Sequence, residues 1–445
     1  MRHLGGLAAA ILLATAAHAA QAAPEPPATY IHAGALLDRP GQAPRGASTV
    51  IVRGGRVEAV RDGYVAPPAG ARVIDLKDQF VLPGLIDMHV HIFADDDKQR
   101  ARMEALNRDV EDEVLIGVDN ARRTLEAGFT TIRDLGSDPR SVMSLRDAIN
   151  AGKVAGPTIV PAARMVSITG GHGDGTNGVN RDAAKAAAED SSNLCDGPDD
   201  CRRAVRAQIG AGAEVIKFAA TGGVLSNVSG GLGQHMTDAE MVAIVETAHG
   251  LGRKVAVHAH GKAGIDAALR AGVDSVEHGT YVDQGSIALF KKTGAYLVPT
   301  MVAPRAALAQ ARAGVLPPAI LPKAEEAAAA AFANHKAAIA SGVKIAFGTD
   351  TGVSSHGENA KEFALLVEAG LSPAEAIKAA TVNAADLLGR SERLGTLEPG
   401  KDADIIAVAK SPLADVTELE RPTFVMKRGA PIRIGGHRQP FPPEG

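Results

Sequence analysis

The chain has few of the features that would tie it to nucleic acid. Its 445 residues include no tryptophan, 3% aromatic residues and 14 histidines, and the formal net charge is −4. No block of Lys and Arg occurs along the sequence. Because a basic patch supplies most of the affinity for a phosphate backbone, this composition argues against a nucleic-acid partner.

Cysteine is also scarce, with Cys195 and Cys201 bracketing a short polar loop. In an oxidising compartment, two cysteines at this spacing can close a local disulfide ring. A metal site is the alternative, but two thiols with no further Cys or His nearby make a poor zinc site. The sequence therefore favours the disulfide.

Long apolar runs are missing as well, and the longest candidate is at the N-terminus. Arg2 precedes an apolar stretch at residues 4–17, followed by small residues. About 14 apolar residues are too few for a bilayer that needs about 20. We interpret residues 1–22 as a signal peptide cleaved after Ala19 or Ala22, rather than as an anchor, and predict a periplasmic or secreted protein with no stable membrane anchor.

Glycine and alanine are abundant, which is typical of α/β enzymes with many tight turns. Near both ends, residues alternate between apolar and polar as β-strands do, and residues 49–53 and 56–60 are separated by two glycines, which is a hairpin signal. We predict that residues 28–82 and 391–436 pair into one small β-sandwich.

Between these ends, residues 83–390 contain apolar runs that alternate with stretches of helical character. One such stretch opens with Thr237 and Glu240 in a capping-box pattern. Eight alternations predict a parallel (β/α)8 TIM barrel, which fits better than an open doubly wound sheet. The runs lie at residues 80–91, 130–135, 158–168, 214–220, 254–260, 275–278, 296–301 and 344–350.

Polar residues of the metal-ligand type lie at the C-terminal ends of five runs, where barrel enzymes place catalytic groups. His89 and His91 are two apart in a strand, so both side chains can reach one ion. A single buried histidine is more often a core residue, but neither packing nor solubility requires this whole set. The other runs supply Lys217, His258 with His260, His278 and Asp350.

Lys217 is flanked by apolar residues and is expected inside the barrel. Burial lowers the pKa of a lysine toward neutrality. A neutral amine can capture carbon dioxide, and the resulting carbamate is an anionic ligand long enough to bridge two metal ions. Lys217 is therefore a candidate carboxylated ligand.

These motifs resemble the amidohydrolase superfamily over nearly all of the mature chain. TGG at 221–223 and HAHG at 258–261 are similar to its binuclear, carboxylated-lysine peptidase branch, which includes prolidase-like carboxypeptidases and ochratoxin-hydrolysing amidases. The resemblance rests on VLPGLIDMHVH at 81–91, VIK at 215–217, VHAHG at 257–261, VEHG at 276–279, FGTD at 347–350 and LEPGKDAD at 397–404.

The resemblance implies two divalent metal ions, for which imidazole ligands favour zinc. It also implies that Lys217 and Asp350 are catalytic, with Asp350 as general acid and base. His258 and His260 are two apart and either could ligate; the family pattern gives ligation to His258 and a substrate contact to His260. Family members often form homo-oligomers, as rings of eight or smaller assemblies, so the resemblance implies a homo-oligomer here too. The implied ligands are His89 and His91 on the more buried ion, His258 and His278 on the more exposed ion, carboxylated Lys217 as the bridge, and Asp350 on the buried ion.

Two neighbouring ions lower the pKa of a shared water and polarise a carbonyl, so hydroxide attack on an amide becomes feasible. Relatives that deaminate rings follow the fifth-strand histidine with a glutamate, whereas here His258 is followed by Ala259. Amide hydrolysis is therefore favoured over deamination.

Loops at the barrel rim contain the candidate substrate contacts. A Gly-rich loop with His172 can bring an imidazole and backbone amides to a carboxylate, although the loop can also be merely exposed. Tyr281 can contact a substrate or pack at the rim. The full set is His172, Ser226, His260 and Tyr281.

We expect a small-molecule or dipeptide amide whose free carboxylate follows an apolar or aromatic residue. N-acyl amino acids, dipeptides and ochratoxin A fit this description. The alternatives are a prolidase or other cyclic-amide hydrolase of the same superfamily, and an inactive binding or assembly protein on the same barrel. The second alternative is disfavoured because the chain keeps every ligand position.

Overall fold

A computed structural model describes residues 27–104, 107–177, 180–188, 191–224, 230–315 and 321–441. The predicted signal peptide at residues 1–22 and the predicted substrate contact Ser226 lie outside the described residues. Among the helices within those ranges, none is long and apolar enough to cross a membrane.

Strands and helices alternate through the middle of the chain, and strands dominate its two ends. The strands are β1 Thr29–Leu36, β2 Ser48–Arg53, β3 Arg56–Asp62, β4 Arg72–Pro83, β5 Leu85–Val90, β6 Phe129–Asp134, β7 Thr158–Pro161, β8 Val215–Ala219, β9 Lys254–Ala259, β10 Ser275–His278, β11 Tyr296–Val298, β12 Ile405–Val408, β13 Phe424–Lys427, β14 Ala430–Ile434 and β15 His437–Arg438. The helices are α1 Lys98–Glu104, α2 Val110–Glu126, α3 Pro139–Asn150, α4 Arg181–Ala188, α5 Pro198–Gly210, α6 Asp238–Gly250, α7 Lys262–Ala271, α8 Gln284–Thr293, α9 Val302–Arg312, α10 Leu321–Ala340, α11 Lys361–Glu368, α12 Pro373–Lys378 and α13 Ala384–Leu387.

The two ends of the chain form a shared sheet in the order β15-β14-β13-β12-β4-β1-β2-β3. The long strand β4 joins the halves, because it pairs in parallel with β1 and antiparallel with β12. Apolar side chains from both halves, such as Ile31, Val52, Ile405 and Phe424, are buried in one cluster. The predicted β-unit built from both termini is therefore present, as a continuous sheet.

The barrel is built from β5 to β11 and an extended eighth segment at residues 344–351. β5, β6 and β7 pair in parallel in chain order, as do β8, β9, β10 and β11. A bridge from Val166 to Phe218 joins the two sets. The eighth segment bridges β11 through Ile345 and β5 through Thr351, which closes the ring. The predicted (β/α)8 barrel is confirmed.

The third and eighth predicted strands depart from regular strand structure within their apolar runs. β7 ends at Pro161, whose ring removes the N–H that a ladder needs, and Ala163 then adopts a left-handed φ of 56°. The eighth segment makes isolated bridges instead of a continuous ladder, and it turns at Asp350, where φ is 56°. Apolar composition predicted where these segments lie but not their local turns.

Two local predictions are confirmed. Helix α6 begins after Thr237, whose hydroxyl accepts a hydrogen bond from the Glu240 amide while the Glu240 carboxylate accepts one from the Thr237 amide. Cys195 and Cys201 form a disulfide with their Cα atoms 4.8 Å apart.

Candidate metal centre and active site

The carboxyl ends of the barrel strands surround a cavity of about 240 Å³. Its floor is polar, and its wall on the side of α9 and α10 is apolar. All the residues predicted as metal ligands line it, together with two of the predicted substrate contacts: His89, His91, Lys217, His258, His278, Asp350, His172 and His260. Side chains separated by about 260 positions in the sequence therefore meet at one site.

Two groups of potential donor atoms lie in this cavity. Ligand atoms of His258, His260 and His278 are within 4.8 Å of one another, and so are those of His89, His278 and Asp350. His278 belongs to both groups. Imidazole nitrogens and a carboxylate oxygen at such spacing are a donor set that suits Zn²⁺, so the residues present fit a metal centre with two positions.

The two histidines of β5 are oriented by hydrogen bonds behind their rings. Nδ1 of His89 lies 3.0 Å from Glu277 Oε2, and Nδ1 of His91 lies 3.2 Å from the Gly136 carbonyl. A carbonyl oxygen can only accept, so Nδ1 of His91 carries the hydrogen. Their Nε2 atoms lie 3.4 and 3.3 Å from Oδ1 of Asp350. Such supporting contacts leave Nε2 as the ligand atom.

Two further histidines are held by threonine hydroxyls. Nδ1 of His278 lies 2.8 Å from Thr300 Oγ1, and Nδ1 of His260 lies 2.7 Å from Thr280 Oγ1. His258 differs, because its Nε2 lies 3.3 Å from the Gly222 carbonyl. The geometry keeps both His258 and His260 within reach of a shared ion with His278.

The electrostatics of the cavity keep His89, His258 and His278 neutral, whereas at His91 burial is outweighed by the contact with the Asp350 carboxylate, which raises the pKa. Burial lowers the pKa of His89 to about 4, and it lowers the pKa values of His258 and His278 well below the ordinary histidine value. Burial opposes ionisation of Asp350, but the adjacent His89 and His91 outweigh it and lower the pKa of that carboxyl to about 2. Neutral imidazoles beside an ionised carboxylate are the protonation states that metal binding requires.

Lys217 lies on β8 with 2% of its surface exposed. Burial lowers the pKa of its amine to about 8, against the opposing effect of the Glu277 and Asp350 carboxylates. A substantial neutral fraction therefore exists near physiological pH. This is the form that reacts with carbon dioxide.

A buried ion pair beneath the histidines was not singled out from the sequence. Arg133 Nη2 donates to Glu277 Oε1 at 2.8 Å, and both side chains are at most 1% exposed. Burial raises the pKa of Glu277, but the Arg133 charge and the His89 contact outweigh it and lower the value to about 2. A signal was available, because an Arg and a Glu in two separate apolar runs each require a buried partner.

The predicted substrate contacts lie in different places relative to the cavity. The His172 ring lies at the cavity, with its centroid 4.2 Å from that of His258. This approach depends on Gly223, where an added Cβ would lie 2.5 Å from His172 Cε1. Tyr281 is not among the described residues lining the cavity; its hydroxyl donates a hydrogen bond to Glu326 at 3.2 Å, and its role in substrate contact stays a prediction.

The apolar wall of the cavity consists of small residues. Helix α9 supplies Ala303 and Ala307, and α10 supplies alanines one or two turns apart on one face. Small side chains leave room for a bulky substrate group. The α10 residues are Ala324, Ala327 and Ala331.

Comparison with known proteins is consistent with this geometry. The Amidohydrolase family model matches residues 80–432. The sequence is similar to ochratoxinase of Aspergillus niger, with 33% identity over 421 residues that cover 90% of this chain and 86% of that protein. The structure is similar to that of a Xaa-Pro dipeptidase with bound methionine in its active site, with a TM-score of 0.85, 37% identity, and coverage of 91% of this chain and 100% of that one. It is also similar to the crystal structure of A. niger ochratoxinase, with a TM-score of 0.79, 30% identity, and coverage of 92% and 96%.

Proposed function

The chain belongs to the amidohydrolase family, and from this premise we propose that it is a binuclear metal-dependent hydrolase of amide bonds. The observation that carries the proposal is the pair of donor groups that share His278 in a cavity with buried Lys217. Related ochratoxinase and the related Xaa-Pro dipeptidase support the reaction class.

In this proposal the residues of β5 and the eighth segment hold one ion, and His258 with His278 holds the other. His260 is the alternative to His258. Carboxylated Lys217 would supply an anionic oxygen ligand to both positions, and zinc is the expected metal. When bound, two such ions activate water and polarise a carbonyl oxygen. The ligands of the first position are His89, His91 and Asp350.

Asp350 is the proposed general acid and base. Its carboxylate is ionised and lines the cavity, so it can accept a proton and return it to the leaving nitrogen. The left-handed φ of 56° at this residue ends the eighth segment and directs the carboxylate toward His89 and His91. Left-handed non-glycine residues carry a conformational cost and are over-represented at functional sites.

The proposed substrate is an amide whose acyl group is followed by an apolar or aromatic amino acid with a free carboxylate. His172 can donate a hydrogen bond to that carboxylate from the polar side of the cavity. The alanines of α9 and α10 leave space for the apolar side chain. N-acyl amino acids, dipeptides and ochratoxin A, which would yield ochratoxin alpha and phenylalanine, are the candidates.

A second candidate is the cleavage of Xaa-Pro dipeptides. The 37% identity to a Xaa-Pro dipeptidase favours it. The two candidates predict different preferences at the C-terminal residue, so one substrate panel separates them.

We further propose that the protein is exported and forms a homo-oligomer. The apolar N-terminal segment and the disulfide between Cys195 and Cys201 support export, because disulfides persist in oxidising compartments. Mass spectrometry of the mature N-terminus and light scattering of the purified protein test these two points.

The central experiment is the release of free amino acid from N-acyl-phenylalanine, N-acyl-alanine, Xaa-Phe and Xaa-Pro dipeptides and ochratoxin A, measured by mass spectrometry before and after chelation. We expect cleavage of the phenylalanine-terminated amides, loss on chelation and recovery with Zn²⁺. The Asp350→Asn variant, which is nearly isosteric, should be folded and inactive. An inert, metal-free wild-type protein would indicate a binding protein instead.

A further inference from the structure

Helix α10 contacts the site in two places along one face. Ala324, Ala327 and Ala331 line the cavity, and His335 follows one turn later on the same face. His335 is 1% exposed and does not line the cavity. It reaches the backbone of the sixth barrel strand instead.

The segment that His335 contacts is a left-handed turn. His278 and Gly279 have φ values of 69° and 60°. Glycine tolerates this conformation, and an added Cβ at Gly279 would lie 2.6 Å from Leu297 Cδ1. A histidine in this conformation is unfavourable on its own, so contacts around His278 must hold it there.

His335 provides such a contact. Its Nε2 lies 2.6 Å from the His278 carbonyl oxygen, and because a carbonyl only accepts, Nε2 carries the hydrogen. Its Nδ1 has no hydrogen-bond partner within the described residues. A buried nitrogen without a partner is unfavourable, so packing alone would favour an apolar residue at position 335.

The preceding residue makes a parallel contact. Asn334 Nδ2 donates to the Thr280 carbonyl at 2.8 Å, and the Thr280 hydroxyl is the group that holds Nδ1 of His260. Two adjacent side chains of α10 thus hold the carbonyls of His278 and Thr280. Each of these residues orients, or is, a candidate metal ligand.

We propose that His335, assisted by Asn334, is a positioning residue that fixes the turn at residues 278–280 so that His278 and His260 face the metal position. The inference rests on the proposed function, because it takes these histidines as part of a metal site. The same face of α10 therefore forms the apolar wall of the cavity and holds the turn at residues 278–280 in place.

The test compares zinc affinities of metal-free protein by chelator competition, together with kcat and KM. His335→Leu removes the donor, His335→Gln keeps an amide donor near the position of Nε2, and Asn334→Asp removes the second donor without changing size. The matched control is His249→Leu, since His249 pairs with Asp274 at the opposite end of β10.

We expect zinc affinity to fall by about 10–100-fold in His335→Leu, which is the usual effect of removing a group that supports a metal ligand. In Asn334→Asp it should fall by about tenfold. His335→Gln should stay within about threefold of wild type, as should His249→Leu. A role limited to packing would instead lower thermal stability equally in the Leu and Gln variants without changing zinc affinity. If His335→Leu does not fold, the zinc affinity of Asn334→Asp tests the positioning role instead.

The outcomes separate this inference from the proposed function. Wild-type protein that binds two zinc ions while His335→Leu and Asn334→Asp bind them equally well would overturn the positioning role alone. Wild-type protein that binds no zinc would overturn both proposals.

Discussion

Nδ1 of His89 lies 3.0 Å from Oε2 of Glu277, and neither side chain is more than 1% exposed. The other oxygen of this carboxylate accepts a hydrogen bond from Arg133. One buried carboxylate therefore connects the second and sixth barrel strands with a candidate metal ligand on the first. The orientation of His89 depends on an ion pair that never reaches the cavity.

Replacement of Glu277 by Gln should destabilise the fold and weaken the metal site. The Arg133 guanidinium would lose its buried counter-charge, which typically costs about 3–5 kcal/mol. We expect the free energy of unfolding in denaturant to fall by that amount and zinc affinity to fall by about 10–100-fold. Glu246→Gln, at an exposed position on α6, is the control and should change neither. A Glu277→Gln protein with the unfolding free energy and zinc affinity of wild type would contradict the role of the ion pair.

Carboxylation should be specific to Lys217. Protein prepared in ¹³C-bicarbonate should show a carbamate signal by NMR, and Lys217→Arg should abolish it because the guanidinium stays charged. Lys427 is a matched control: its side chain is only 10% exposed, but its Nζ lies 2.6 Å from Asp404. The signal should survive in Lys427→Arg, and its survival in Lys217→Arg would refute the assignment.

Filling the apolar wall should narrow specificity. Ala327→Leu adds bulk opposite the histidines, so we expect kcat/KM for phenylalanine-terminated amides to fall by roughly 10–200-fold, while alanine-terminated amides are less affected. Ala333→Leu, on an exposed face of α10, should match wild type. Equal losses of kcat/KM for both substrate classes would show that the side chain of the substrate's C-terminal residue does not lie against this wall.

Stability should depend on pH through Glu362, which accepts hydrogen bonds from the amides of Met301 and Val302 at the start of α9. Burial raises the pKa of this carboxyl from 4.5 to about 8, although those amides oppose the change. The folded protein then holds a proton that the unfolded chain releases, so stability falls as pH rises between these values, by at most about 1.4 kcal/mol per pH unit.

Glu362→Gln cannot ionise and should lose this pH dependence. Thermal melts of metal-loaded wild type and Glu362→Gln at pH 5 to 8 measure it. As pH rises, we expect the melting temperature of Glu362→Gln to increase relative to that of wild type. A constant difference across this range would show that Glu362 titrates normally.

The sequence predicted the barrel and the cluster of ligands because both follow from periodicity. Strand alternation puts His89 and His91 on one side, and parallel strands bring Lys217, His278 and Asp350 to the same rim. The sequence left open whether Tyr281 contacts a substrate or packs at the rim, because its hydrogen bond to Glu326 joins residues 45 positions apart. His335 carried no local signal, because a histidine within an alanine-rich helix shows its role only when the His278 carbonyl lies beside it.

The irregular parts of the barrel depend on tertiary contacts too. The turn at Ala163 and the turn at Asp350 occupy left-handed conformations that neither alanine nor aspartate prefers. The sequence therefore predicts which residues gather at the site, whereas the backbone conformation that directs them arises from packing.

Anomalous diffraction at the zinc absorption edge, from crystals of the zinc-loaded protein, measures the central feature directly. We predict two anomalous peaks in the cavity, one beside His89, His91 and Asp350 and one beside His278, joined by continuous density that extends from Lys217. No peak, or a single peak without added density on Lys217, would contradict a binuclear centre bridged by a carboxylated lysine.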